Sequence, residues 1–227
     1  MKLILTCEHG GNKIPKPYQL YFKNQDLVLN SHRGYDLGAL DVFNYLKPLS
    51  NYSKYSDNSR LLIELNRSLH HKKLFSEFSK TLSKDDKKQL ISNYYLEFRN
   101  NVEASIKKYI YSNNKVLHLS VHSFTPILNN QVRHCDIGLL FDSRNIAEKK
   151  FSKNLKSEIL KQDKTLNVRF NYPYLGKADG FTMYLRKQFP ENYLGIEIEL
   201  NQKFSIKNKI NKNLKDVLLI AIKNVSS

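Results

Sequence analysis

Short apolar runs alternate with longer amphipathic stretches along nearly the whole chain, and no other feature restricts its fold as strongly. Lys2–Cys7 (KLILTC), 60–65 (RLLIEL), 116–121, 136–141, Val168–Phe170 and 193–200 read as strands. Between them, 36–49 places Leu37, Leu40, Phe43, Leu46 and Leu49 at helical spacing. Residues 84–111 form the longest predicted helix, opened by Ser83 and Asp86 as a capping pair. Further helices are predicted over 146–160, 179–187 and 206–224. Strands separated by helices imply a mostly parallel sheet covered on both faces, an α/β three-layer sandwich. No internal repeat or Pro/Gly-rich boundary divides the chain, which reads as a single domain over 1–227.

Other properties narrow the class. With 227 residues and a hydrophobic fraction of 41%, the chain is long enough and apolar enough to bury a core. No run of about 18 apolar residues suits a membrane-spanning helix. The start, MKLILTCEHGG, has only Leu3 to Leu5 as an apolar stretch, so a buried strand fits better than a signal segment, and a cytoplasmic location is the default expectation. Cys7 and Cys135 sit in strand-like runs and read as small core hydrophobes rather than catalytic thiols. Lys and Arg number 37 against 21 Asp and Glu, a net +16, which raises nucleic-acid binding as a rival function. Against it, the excess is mostly Lys scattered over polar helix faces, without aromatic interleaving. A basic surface also suits an anionic small molecule.

In a sheet of this kind, sites form at the carboxyl ends of strands. His9, Asn66-Arg67, His122-Ser123 and Glu199-Leu200-Asn201 each follow an apolar strand run. Gly10-Gly11 after His9 let backbone pass close to a ligand. Each histidine alone fits a structural role, but two at one sheet edge form a candidate metal pair, since neutral imidazole suits zinc. Glu197 and Glu199 alternate onto one strand face, which is costly unless they are paired or functional, or unless the strand is a solvated edge. No G-x-S-x-G elbow, H-E-x-x-H helix, P-loop or dinucleotide fingerprint is present.

Six ordered blocks, CEHGGNKIP, SRLLIELNRS, VHSFTP, RHCDIGLLFD, NYPYLGKADG and GIEIELNQ, span Cys7 to Gln202. Together they resemble the N-formylglutamate amidohydrolase family, which is similar in fold to the zinc carboxypeptidases and the aspartoacylase-like desuccinylases. The resemblance implies that His9 and His122 are ligands of Zn2+ or a similar ion, that Asn66-Arg67 clamps substrate, and that Glu199 is the catalytic base. Asn12 departs from the pattern, standing where the relatives' His-x-x-Glu motif has a carboxylate. Asp36 is the candidate replacement, although an acid ahead of a helix also fits a macrodipole role. Glu8 is a further alternative and would have to point away from His9. Arg67 would hold an oxyanion or a substrate carboxylate together with the metal. Arg133 is a second clamp candidate, unless it pairs with Asp136 or Glu197. Tyr174 would donate a hydrogen bond to substrate, unless it is loop packing. The implied reaction is amide hydrolysis of a small anionic acylated amino acid. Peptide or cell-wall amides are an alternative on the same fold, and the sequence sets no expectation for oligomeric state.

Overall fold

A computed structural model describes residues 1–226. Six strands form one sheet in the order β2-β1-β3-β8-β6-β7. They are β1 (Lys2–Cys7), β2 (Tyr52–Tyr55), β3 (Val116–Phe124), β6 (Ile137–Leu140), β7 (Val168–Phe170) and β8 (Tyr193–Asn201). Strands β2, β1, β3 and β8 run parallel, whereas β6 is antiparallel to β8, and β7 follows β6. Two small hairpins, β4–β5 (Ile127–Leu128 and Gln131–Val132) and β9–β10 (Ser205–Ile206 and Lys209–Ile210), complete the β structure. The helices are α1 (Asp26–Leu29), α2 (Ala39–Leu46), α3 (Lys84–Leu90), α4 (Glu97–Tyr111), α5 (Ile146–Gln162), α6 (Phe181–Gln188) and α7 (Lys212–Ser226).

The side-chain period of two in the strands builds two unlike faces. Leu3, Leu5 and Cys7 of β1, Leu117, Leu119 and Val121 of β3, and Ile196, Ile198 and Leu200 of β8 pack against α2, α5 and α7. The opposite face is apolar only near the strand starts, where Ile4, Val116 and Tyr193 meet α4 and α6. Further along the same face it turns polar, through Thr6 and Glu8, then His118, Ser120 and His122, then Glu197 and Glu199. Parallel pairing sets Ser120 opposite Glu197 and His122 opposite Glu199. The mixed three-layer α/β architecture therefore holds, with the polar column at the strand ends.

Several local readings need correction. Residues 60–65 form turns rather than a strand; Leu61, Leu62, Ile63 and Leu65 are buried in the second core cluster without joining the sheet. The sheet position goes instead to polar β2, an edge strand whose pattern lacks apolar alternation. The helix predicted from 36 begins at Ala39, after Gly38 at φ +80°, so Asp36 lies ahead of it rather than in its first turn. The 84–111 helix is continuous in course but contains a π-helical stretch at Ile91–Leu96. The 206–224 helix starts at Lys212, because the β9–β10 hairpin occupies its predicted first turn. No helix among the described residues is long and apolar enough to cross a membrane.

Leu119 lies at the centre of the larger core cluster with no exposed surface. Leu119→Ala should destabilise the fold by about 2–5 kcal/mol, read from the midpoint of urea unfolding at unchanged m-value.

Candidate metal and active site

His9 sits in the turn that ends β1, and its carbonyl accepts the backbone N–H of Asp36. This bond brings the Asp36 carboxylate beneath the strand ends. Asp36 Oδ2 lies 3.2 Å from His9 Nδ1 and 2.9 Å from His122 Nδ1. All three residues are buried and offer ligand atoms within 4.8 Å of one another. Asp36 Oδ1 takes Arg60 Nη1 at 3.2 Å. Asp36 thus faces inward to the histidines rather than serving a helix dipole.

The far nitrogens of both rings are also occupied. His9 Nε2 makes a very short contact with Glu64 Oε1, and Glu64 Oε2 accepts Arg60 Nε and Nη2 at 2.8 and 2.6 Å. His122 Nε2 is 2.8 Å from Ser120 Oγ and 3.2 Å from Glu8 Oε2. Glu8 therefore points away from His9 and lies behind His122. Asn12 is outside the cluster, donating to Leu29 O at 3.2 Å and Asn30 Oδ1 at 2.8 Å.

The electrostatics follow from burial and pairing. Burial alone would lower the His9 pKa, but the Glu64 and Asp36 carboxylates hold it above its ordinary value. His122 is raised well above by its bonds to Asp36 and Glu8 against the same burial penalty. Burial opposes ionisation of Glu8, but His122 brings it down to about 2. Asp36 and Glu64 are likewise held far below the usual carboxylate range by His9, His122 and Arg60. Cys7 is pushed well up by burial and Cys135 to about 11, so both remain thiols in the core.

Glu199 behaves differently. Burial pushes it up to about 8, with Asp36 and Glu197 adding repulsion and His122 and Arg60 opposing. Its Oε2 is buried and has no hydrogen-bond partner among the described residues. Because β8 lies between β3 and β6, the edge-strand explanation for Glu197 and Glu199 fails.

A cavity of about 310 Å3 opens over these groups. His9, Asp36, His122 and Glu199 form part of its lining, with Arg60, Asn66, Arg67, Tyr174, Asp179 and Glu197 around them. Asn66 Oδ1 accepts the Phe181 N–H at 2.6 Å, which fixes the side-chain amide in the wall. Arg67 donates Nη1 to the carbonyls of Asn66 and Asp179 and makes no ion pair among the described residues. Arg133 pairs with neither Asp136, which takes Lys203, nor Glu197, which accepts Thr182 Oγ1. Its guanidinium instead lies over Tyr174, 5.3 Å from the ring centroid, with Nη1 3.3 Å from the phenol oxygen. Tyr174 is half exposed on a loop that crosses β6 at Gly138, where any side chain would collide with the Tyr172 carbonyl oxygen.

The sequence reading missed Arg60 and Glu64. Their signal was present as an i,i+4 pair of opposite charge, but reading RLLIEL as a strand set the two on one face about 13 Å apart, too far to pair. Asp179 was missed as well; its carboxylate anchors Ser68 through N–H and Oγ bonds of 3.0 and 3.1 Å.

Fold and cavity together define an α/β protein with a candidate divalent-metal centre at the carboxyl ends of its parallel strands. The profile of the N-formylglutamate amidohydrolases matches residues 1–205, and the chain belongs to that family. It is similar in structure to a gene product of Agrobacterium tumefaciens, with TM-score 0.78 and 23% identity over 100% of this chain and 92% of the other. It is also similar to an N-formylglutamate amidohydrolase from Ralstonia eutropha, with TM-score 0.73 and 14% identity over 100% and 93% of the two chains. These likenesses establish the fold. No curated protein matches the chain significantly in sequence.

The Glu199 environment has a consequence for stability. In the metal-free protein the folded state holds a proton on Glu199 up to about pH 8, whereas the unfolded chain releases it near 4.5. Stability from this group is complete below about pH 4.5 and is lost as pH rises towards 8. Glu199→Gln should abolish that slope, gaining on the order of a few kcal/mol over wild type at pH 8 relative to pH 5. Thermal unfolding of chelator-treated protein at the two pH values measures it, and parallel profiles would refute the assignment.

Proposed function

We propose that the protein is a metal-dependent amidohydrolase that cleaves the amide of a small, doubly anionic N-acyl amino acid of the N-formylglutamate type. One observation carries this reading: Arg67, which has no acidic partner among the described residues, lines a cavity whose floor is His9, Asp36 and His122, and Arg133, likewise without one, packs on the Tyr174 of the same lining. The donor set fits a divalent ion, two imidazole nitrogens and one carboxylate oxygen being a combination that zinc takes and that leaves a coordination position open. When bound, such an ion supplies Lewis acidity towards a carbonyl oxygen and lowers the pKa of a coordinated water.

The remaining chemistry belongs to the chain. Glu199, with its free Oε2 and its position opposite His122, takes a proton from the attacking water and returns it to the leaving amine nitrogen. Its raised pKa suits proton exchange near neutral pH better than that of an ordinary carboxylate. The guanidinium forks of Arg67 and Arg133 match carboxylates bidentately, so one substrate carboxylate goes to each. Tyr174 packs against Arg133 and closes the cavity rim. A cytoplasmic setting is part of this reading, supported by two buried, unpaired thiols. So is a small-molecule partner in place of nucleic acid.

Hydrolysis of N-formyl-L-glutamate, compared with acyl peptides and muramyl amides, tests the substrate class. Turnover confined to the peptides or muramyl amides would overturn it. Glu199→Gln should lower kcat by about 10^2–10^4 while leaving metal content intact. Arg67→Ala should lower kcat/KM by roughly 10–100-fold through loss of a charge-assisted pair. Removing the metal with chelator should abolish turnover and restoring Zn2+ should recover it; full activity in chelator would rule out the metal mechanism.

A further inference from the structure

We propose that Glu8 and Glu64 are positioning residues that fix which nitrogen of His122 and His9 is left free for the metal. This inference rests on the metal reading above. It follows from the direction in which each hydrogen bond must run.

Every partner of Glu8 is a donor. Thr6 Oγ1 donates to Oε1 at 2.7 Å, and Ser120 Oγ donates to Oε2 at 2.6 Å. A hydroxyl has one proton to give. Having given it to Glu8, Ser120 must accept from its other neighbour, His122 Nε2, at 2.8 Å. His122 then keeps a proton on Nε2, so Nδ1, which donates to Asp36 here, is the nitrogen that would give up its proton to a metal in the cluster. Thr6 imposes the same order on a second branch: its Oγ1 accepts from His118 Nε2 at 2.8 Å, and His118 Nδ1 accepts from Tyr193 OH at 2.7 Å. Two buried relays therefore end on Glu8, and reversing either would set a hydroxyl lone pair against its carboxylate oxygen.

Glu64 does the same for His9 more directly. Its Oε1 meets His9 Nε2 and the Asn66 backbone N–H, the latter at 3.0 Å, while Oε2 takes two nitrogens of Arg60. Again all neighbours donate, so His9 Nε2 carries hydrogen and Nδ1 is left for the cluster. Each ligand imidazole is backed by its own carboxylate, an arrangement that orients the ring and raises its basicity.

An amide at either position disturbs this order: at Glu64 its NH2 meets the Arg60 donors or His9 Nε2, and at Glu8 it meets a hydroxyl that accepts only by turning its own proton onto a histidine. In Glu8→Gln the amide turns the Ser120 hydroxyl towards His122 Nε2 and drives the proton to Nδ1, the wrong atom for ligation. Ser120→Ala is milder, since Glu8 Oε2 remains 3.2 Å from His122 Nε2 and can accept from it directly.

Chelator-stripped wild type, Glu8→Gln, Glu64→Gln and Ser120→Ala chains are titrated with Co2+ against a chromophoric chelator, with circular dichroism recorded on each. Wild type should bind one Co2+, the two Gln variants about 10–100-fold more weakly, and Ser120→Ala in between. Equal affinities in all four chains would overturn the inference while leaving the metal reading intact. A wild type that takes up no Co2+ overturns the metal reading and this inference together. Should a Gln variant fail to fold, 15N spectra of the wild-type zinc form decide: Nε2–H on both His9 and His122 is the expected state, and Nδ1–H on either refutes it.

Discussion

A buried carboxylate is tolerated only if its charge is answered within bonding distance, and Asp36 is where this constraint concentrates. Its two oxygens meet His9, His122 and Arg60, groups delivered by the end of β1, the end of β3 and the turns before Asn66. Removing one partner from such a group leaves an uncompensated charge and costs about 3–5 kcal/mol. The turns around 60–65 have little regular structure of their own. Their position depends on Arg60 gripping Asp36 and Glu64 from one side while Leu61, Leu62 and Ile63 enter the apolar cluster from the other.

The fold and the site were legible to different depths. The apolar runs of β1, β3 and β8 announced themselves because both sheet faces are covered near their starts, and the strand-end rule then placed His9, His122 and Glu199 at one edge. Strand β2 was invisible because an edge position asks no apolar alternation of YSKY. The 60–65 run misled because burial without pairing leaves the same apolar signature as burial within a sheet. Asp36 was readable as a candidate, but its choice over Asn12 and Glu8 depended on where the chain turns before α2, which is a tertiary matter. Arg60 and Glu64 lay inside the misread segment, and their part in the site went with it.

The charge distribution is also more ordered than the net +16 suggests. Carboxylates from Asp36, Asp179, Glu197 and Glu199 line the cavity together with the guanidinium groups of Arg60 and Arg67, and Arg133 packs on Tyr174 at its edge. A basic exterior draws anions towards the protein at long range. On the proposed function, the guanidinium forks would then set how such an anion lies. Charge that reads from the sequence as unspecific stickiness divides, in three dimensions, into attraction and alignment.

The reversal of β6 has a further meaning. Because β6 runs against β8, the chain leaves β3 at the site, makes the β4–β5 hairpin there, and returns with Arg133 still on the same edge. Asn129 and Asn130, both at positive φ, close this hairpin without help from the sheet. The segment that carries Arg133 can therefore change length or composition between two fixed strands without disturbing His9 and His122. Under the proposed function, the residue that would recognise substrate varies separately from those that would carry the chemistry, so a lineage could acquire a new substrate by rewriting one hairpin.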